Sequence, residues 1–225
     1  MADDWKQSLK QDGYCQLRGI VPQSMIGEAR AEVGRIYWAA EKHVGWVPMS
    51  GNSKTFHGLL RESPLADYVE QALGWNKVDY QKDAQIVLRR ARETKEKIAP
   101  EHHMDGFNDP PNCYPFSLLV GIFLNRTPDV FNGNFAVWPG THYGHEKYFR
   151  ERTPDVMKAG MPKIGVGEPK QLITESGDAV LCHFQLAHGG VVNTGDTDFI
   201  AVYIRVWQFM DHWKQLTNLW EGWKI

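Results

Sequence analysis

The sequence predicts a mainly β fold with flanking helices, a barrel or sandwich with helical segments packed outside it. Three observations carry that expectation. The 225 residues include 21 glycines and 12 prolines, and these turn formers punctuate the second half heavily. The two clear helical patterns fall in the first third. From about Asp83 onward, short apolar runs alternate with turn clusters at the close spacing of an all-β core. The length suits one well-buried domain over 1–225, with helical support over about 1–80, a β core over about 81–208 and a C-terminal helix over about 209–225.

Along the chain, a strand-like run follows the Gly13-Tyr14 turn and reaches Ile20 and Val21. Ser24 then opens a helix with Met25, Ala29, Val33, Ile36 and Tyr37 on one face. A second helix is signed at both ends: Ser63 caps it, Pro64 occupies its first turn, Leu65, Val69, Ala72 and Leu73 form its apolar stripe, and Gly74 stops it. The predicted strands are Ala84–Arg89, Phe116–Leu124, Asn134–Trp138, Gln171–Thr174, Ala179–Phe184 and Phe199–Trp207. Long turn-rich segments, NDPPNCYP and NRTPDVFNGN among them, separate the strands. Finally Phe209, Trp213, Leu216, Trp220 and Trp223 recur at helical intervals, which reads as core packing or a homodimer contact.

Composition excludes several function classes. With 42% hydrophobic and 23% charged residues and a formal net charge of −2, the chain has no broad basic field for nucleic acid or an anionic membrane. No stretch approaches the roughly 18 apolar residues of a membrane span, and the first residues do not form a basic-then-apolar leader. A cytoplasmic protein is expected. Cys15, Cys113 and Cys182 are odd in number and lack CxxC spacing, so they read as free thiols.

The sharpest chemical signal is EHHMDGF at 101–107. On a strand, residues i and i+2 share a face, so His103 and Asp105 can reach one ion while His102 and Met104 point away. The best third ligand is His188, in GDAVLCHFQLAHGGVVN, where the following glycines leave room beside a metal. Two histidines and a carboxylate take one face of an octahedral iron(II) and leave the opposite positions open for oxygen chemistry. A structural zinc site would close with four ligands, usually including cysteines, although a catalytic zinc also suits this trio.

Four segments together, DGYCQLRGIV, the HMD triplet, NGNFAVWPGTHYGH and GDAVLCHFQLAHGGVVNTGD, resemble the phytanoyl-CoA dioxygenase family of Fe(II)- and 2-oxoglutarate-dependent oxygenases. The resemblance covers nearly the whole chain. It implies a double-stranded β-helix (jelly roll, cupin-like), with the HxD on an early core strand and the distal histidine before a late one. It also implies Fe(II), 2-oxoglutarate and O2 as reactants, and a turn or barrel-rim place for His142. Lys54 and Gln85 fall where family members place cosubstrate contacts. Because Asp105 is retained, where related halogenases give up the carboxylate, hydroxylation or a related oxidation is expected.

One position departs from the family pattern. The arginine that usually meets the far carboxylate of 2-oxoglutarate is Phe199 here, and a phenyl ring has no forked donors. Arg205, on the same predicted strand and face, is a third candidate for the cosubstrate contact, but six residues at about 3.3 Å each place it roughly 20 Å away, too far without a register shift, and a surface or barrel-end ion pair is its other reading. In the run Arg89, Arg90 and Arg92, alternation lets at most one of the first two point inward, and the run is expected to be a solvated edge. The expected function is therefore a non-haem Fe(II)/2-oxoglutarate dioxygenase acting on a small organic substrate. The alternatives are an iron oxygenase without 2-oxoglutarate and a catalytically silent cupin-like binding protein. Trp46, Trp138, Tyr143 and the loop 108–115 are candidates to line the substrate pocket.

Overall fold

The computed structural model describes residues 4–39, 49–51, 53–74, 78–80, 84–92, 94–107, 115–208 and 210–225. In chain order the elements are α1 (Asp4–Asp12), β1 (Tyr14–Leu17), α2 (Gln23–Ala39), β2 (Met49–Gly51), α3 (Lys54–Arg61), α4 (Leu65–Leu73), β3 (Val78–Tyr80), β4 (Ala84–Arg89), β5 (Leu118–Phe123), β6 (Phe135–Val137), α5 (Thr141–Arg150), a 3₁₀ segment (Pro154–Ala159), β7 (Lys170–Gln171), β8 (Ala179–His183), β9 (His188–Gly190), β10 (Phe199–Gln208) and α6 (His212–Thr217). Trp46, Cys113, Phe209 and the loop 108–114, all named above, lie outside the described residues.

Antiparallel strands form two sheets. The larger runs β1-β8-β5-β10-β4-β2, with β3 pairing β10 beyond the end of β4, and the smaller runs β7-β6-β9. This is the mainly β, double-stranded β-helix class with flanking helices. The large sheet is apolar on both faces because both are covered. In β5, Leu118, Val120 and Ile122 pack with Val202, Ile204, Leu181 and the apolar sides of α2, α3 and α4. Leu119 and Phe123 of the same strand face inward with Val180, Cys182, Ala201 and Phe135 of the small sheet. Each fully buried Leu, Ile or Phe contributes on the order of 2 kcal/mol, and all six residues of β5 are buried, which anchors this strand in the middle of the core.

The helical support and the sheet are interleaved more than the strand pattern indicates. β1 pairs β8 from Tyr14↔Cys182 to Leu17↔Ala179, and β2 pairs β4, so β structure begins well before Asp83. Three helices carried weaker signals. α1 ends where Gly13 takes φ +81° and its N–H bonds Leu9 O at 3.0 Å, an αL stop. α3 starts from Ser53, whose side chain accepts from Thr55 N. α5 buries His142, His145 and Phe149 at spacings of three and four, so His142 lies inside a helix and fully buried, not at a turn or rim. At α4, Ser63 Oγ accepts from Leu65 N at 3.2 Å and donates to Leu59 O at 2.7 Å, which ties two helices together.

The C-terminal aromatic stripe is not one helix. α6 covers only His212–Thr217, because Asn218 leaves helical space at φ −145°, ψ 97°, and the chain then turns through Gly222 at φ +79°. Its residues are nonetheless packed: Leu216 is fully buried in the inner core, and Trp220 and Trp223 lie 5.1 and 5.3 Å from the His183 ring. Cys15 and Cys182 are buried free thiols. Among the described residues, no helix is long and apolar enough to cross a membrane.

Candidate metal centre

The HxD segment is not a strand. His103 makes a single antiparallel bridge to His188, with His103 N to His188 O at 2.8 Å and His188 N to His103 O at 2.9 Å. The chain then turns through Asp105 and Gly106, where Gly106 takes φ +87°, a conformation open to glycine without strain. The turn brings about the meeting that strand alternation predicted: His103 Nε2 lies 3.3 Å from Asp105 Oδ1. Met104 is buried in the inner core, and His102 packs toward Trp138 at 5.3 Å.

His188 arrives from the other direction. β8 ends at His183, a turn closes with Leu186 N on His183 O at 2.9 Å, and His188 opens β9 in the small sheet. The strand that leads to His188 is therefore interrupted, and the chain crosses between sheets just before the histidine. Its Nδ1 lies 3.0 Å from Leu186 O. A carbonyl can only accept, so Nδ1 carries the proton and Nε2 keeps its lone pair for an ion. That Nε2 is 3.7 Å from Asp105 Oδ1, and the donor atoms of His103, Asp105 and His188 all lie within 4.8 Å of one another. Cis ligands on an octahedral ion at about 2.1 Å are about 3 Å apart, so small adjustments close the trio around a cation.

The second Asp105 oxygen is held by Arg205. Nε and Nη2 donate to Oδ2 at 3.0 and 2.5 Å, and Nη2 also donates to Gln85 Oε1 at 3.0 Å. This forked contact leaves Oδ1 facing the histidines. Burial works to raise the Asp105 carboxyl, but hydrogen bonding with His103 and the charge of Arg205 outweigh it and hold it well below the usual carboxylate range. Burial likewise lowers His103, opposed by Asp105 and assisted by the charge of Arg205. Both shifts favour the metal-ready forms, carboxylate and neutral imidazole.

The trio lines a cavity of about 310 Å³ between the sheets, within the usual size range of small-molecule sites. From β4 come Gln85, Val87 and Arg89. From β10 come Phe199, Tyr203 and Arg205, and from the small-sheet side come Phe135, Gly189 and Gly190. Gln85 and Arg205 are thus brought to the centre. Lys54 is exposed at the first position of α3 and does not line the cavity, nor do Trp138, which is buried in a small apolar cluster, and Tyr143, which is 45% exposed. Arg205 is not a surface ion pair but the partner of a nearly buried carboxylate.

Arg89 corrects the expectation of a solvated basic edge. It points inward, while Arg90 pairs with Asp198 at 2.6 Å over the Tyr37 ring and Arg92 pairs with Asp196. Tyr203 went unnoticed in the sequence, although two-residue alternation back from Arg205 reaches it. Its ring fits because Gly121 faces it: a Cβ there would sit 2.8 Å from Tyr203 Cε1. Burial pushes the Tyr203 phenol up, with Arg89 opposing and Cys182 and Asp105 adding to the effect, so it is a protonated donor at neutral pH.

Comparisons with known proteins agree with this architecture. HygX from Streptomyces hygroscopicus with nickel and 2-oxoglutarate bound superposes with TM-score 0.66 at 12% identity, covering 93% of this chain and 88% of that one. The non-heme alpha ketoglutarate dependent carbocyclase SnoK from nogalamycin biosynthesis gives TM-score 0.65 at 15% identity, covering 92% and 83%. The non-heme monooxygenase ThoJ in its nickel complex gives 0.63 at 14%, covering 91% and 77%. Identities this low speak to the fold. Among curated proteins, none matches the sequence. Residues 9–198, more than four fifths of the chain, match the family described as Phytanoyl-CoA dioxygenase (PhyH), and the chain belongs to that family.

Proposed function

We propose that the chain is a non-haem Fe(II)- and 2-oxoglutarate-dependent dioxygenase that hydroxylates a small organic molecule, with His103, Asp105 and His188 as the metal ligands. One observation carries the reading: two imidazoles and a carboxylate converge at one end of a cavity of about 310 Å³ between the sheets. The donor set fits the ion. Two nitrogens and one oxygen from His103, His188 and Asp105 would hold iron(II) at the cavity wall, a donor set suited to that ion, and no cysteine stands among the cavity-lining residues described. Bound there, iron(II) supplies activation of O2, with 2-oxoglutarate as the second electron source.

The chain's own groups supply the rest. His188 is fixed as the Nδ1–H tautomer by Leu186 O, and Arg205 fixes the rotation of Asp105 by taking Oδ2. Val87, Leu119, Phe135 and Phe199 give the cavity apolar walls, which exclude water from the reacting centre. The His103 side chain, 44% exposed where His188 and Asp105 are nearly buried, marks the solvent side and the entry path. The solved relatives support a small-molecule substrate: one structure of HygX holds hygromycin B, while SnoN is an epimerase and SnoK a carbocyclase. One fold therefore hosts several outcomes.

Phe199 in the cavity wall favours one other reading, an iron oxygenase that uses no 2-oxoglutarate. Adding 2-oxoglutarate to the anaerobic Fe(II) protein separates the two. A visible metal-to-ligand charge-transfer band, followed on admitting air by succinate formation, is expected. Iron binding with neither band nor succinate would leave the second reading standing.

A further inference from the structure

We infer that the far carboxylate of 2-oxoglutarate is held by Arg89, supplied by β4 directly across the ladder from Phe199 and given its place by the missing side chain of Gly190. This rests on the cosubstrate reading above. In the family pattern the guanidinium comes from the position of Phe199 on β10. Here Phe199 pairs with Arg89 across the antiparallel ladder, where the Cβ atoms of facing residues lie about 5 Å apart. Moving the arginine from one member of the pair to the other keeps its head group in the same part of the cavity.

Gly190 locates that head group. A Cβ built on Gly190 would collide with Arg89 Nη2 and lie 2.7 Å from its Cζ, so the tip of the guanidinium occupies the space beside β9 that a side chain on Gly190 would take. Gly190 is two residues after His188, about 6.6 Å along an extended strand. A five-carbon diacid spans about 5 Å between its end carbons. With its keto acid end at an ion held by His188, its other carboxylate reaches the level of Gly190 and Arg89.

Gly133 completes the fit. At φ +79°, a Cβ there would lie 2.6 Å from Phe199 Cβ, so the loop packs closely over the phenyl ring. Tyr203, between Phe199 and Arg205 on the same face of β10, lines the same cavity, which puts its phenol among the groups able to donate to a bound carboxylate.

Arg205 is the competing cation, and geometry argues against it. Its Nε and Nη2 both contact Asp105 Oδ2, within 3.0 Å, and Gln85 takes Nη2 as well. It therefore borders the metal ligand itself, whereas the far carboxylate of a chelated keto acid must lie several ångströms away. Asp105 is also the only acidic residue among the described residues lining the cavity.

The test uses two five-carbon probes, 2-oxoglutarate and 2-oxopentanoate, which share the keto acid end and differ in the far carboxylate. Each is titrated into the anaerobic Fe(II)-loaded protein and followed by the charge-transfer band, with calorimetry on the manganese-loaded protein as a second readout. Wild type is expected to favour 2-oxoglutarate. Arg89→Gln should weaken 2-oxoglutarate by about 10–100-fold, the range for charge-assisted hydrogen bonds, and leave 2-oxopentanoate unchanged, which also shows that the metal site is intact. Gly190→Ala, which displaces the guanidinium while keeping it in the chain, should give the same selective loss. Exchanging the pair, Arg89→Phe with Phe199→Arg, should restore the preference. Full 2-oxoglutarate affinity in both Arg89→Gln and Gly190→Ala would overturn the assignment of Arg89 alone. Iron-loaded wild type that binds no 2-oxoglutarate would overturn the cosubstrate reading and this inference together.

Discussion

Two groups of histidines in this fold set the proposed metal ligands against residues of the core. His103 and His188 keep Nε2 directed at a shared carboxylate, with His188 Nδ1 on a backbone carbonyl. His142, His145 and His183 lie on the far side of the β8–β9 turn, fully or almost fully buried. Each donates a ring N–H to a backbone carbonyl, His142 to Lys10 O, His145 to Gln185 O and His183 to Leu219 O, and among the described residues no carboxylate stands among their hydrogen-bond partners. Burial lowers the last three to about 4, 4 and 3. The difference lies in the second partner: a carboxylate aimed into a cavity makes an ion site, and a carbonyl inside a packed core makes a neutral strut.

The comparison can be broken in both directions. Replacing a ligand, His188→Ala or Asp105→Ala, should reduce metal affinity by more than about 100-fold while the thermal midpoint of the metal-free protein changes little. Calorimetric titration of Mn(II) or Ni(II) reads the first quantity and melting curves the second. His183→Ala should do the reverse. It removes a ring packed against Trp220 and Trp223 and should lower stability by about 3 kcal/mol, as other large-to-small core changes do, with metal affinity unchanged in the folded fraction. Loss of metal binding in His183→Ala together with retention in His188→Ala would reverse the assignment.

Acid should act on the core histidines. They are neutral when folded, with values near 4, 4 and 3, against about 6.5 when unfolded. Between those values the unfolded chain binds more protons, so stability is complete above about pH 6.5 and falls as pH drops toward 4. The loss is about 2 kcal/mol per ring between pH 7 and pH 5. Urea midpoints measured at the two pH values check this, and equal midpoints would contradict it.

Smaller effects are expected at groups that act through the ligands. Arg205→Leu leaves Asp105 Oδ2 without its forked donor and should weaken metal binding by about 10-fold, at the low end for such supporting contacts, with Arg205→Lys recovering part of it. Tyr203→Phe keeps the ring against Gly121 and should weaken 2-oxoglutarate by only a few-fold, the scale of one neutral hydrogen bond, about 1 kcal/mol. An Arg205→Leu protein with wild-type metal affinity would remove Arg205 from the site's support.

Much of this arrangement is legible in the residues, where local chemistry and tertiary context agree. Ala84–Arg89 has the same bounds in sequence and structure, because its continuous apolar run Ile86–Leu88 is buried in a sheet covered on both faces. The HxD pair meets as expected, yet through the bridge and turn at Asp105-Gly106 and not through a strand, since a three-residue motif does not declare its backbone. α5 was hidden by the glycines and histidines of PGTHYGH, which read as turn formers until His142, His145 and Phe149 find a core to face. The aromatic tail reads as a helix because its spacing is helical, but Asn218 and Gly222 break it. Arg89 was legible only as one of two alternatives. Its inward direction depends on the pairing of β4 with β10 and on the gap at Gly190, both of which are long-range facts.

The most direct test is a crystal structure of the protein loaded with Mn(II) and soaked with 2-oxoglutarate without oxygen. The prediction is a single ion on His103 Nε2, Asp105 Oδ1 and His188 Nε2, chelated by the keto acid end of the cosubstrate, with its far carboxylate on Arg89 above Gly190. An ion bound elsewhere, or a far carboxylate seated on Arg205, would contradict it.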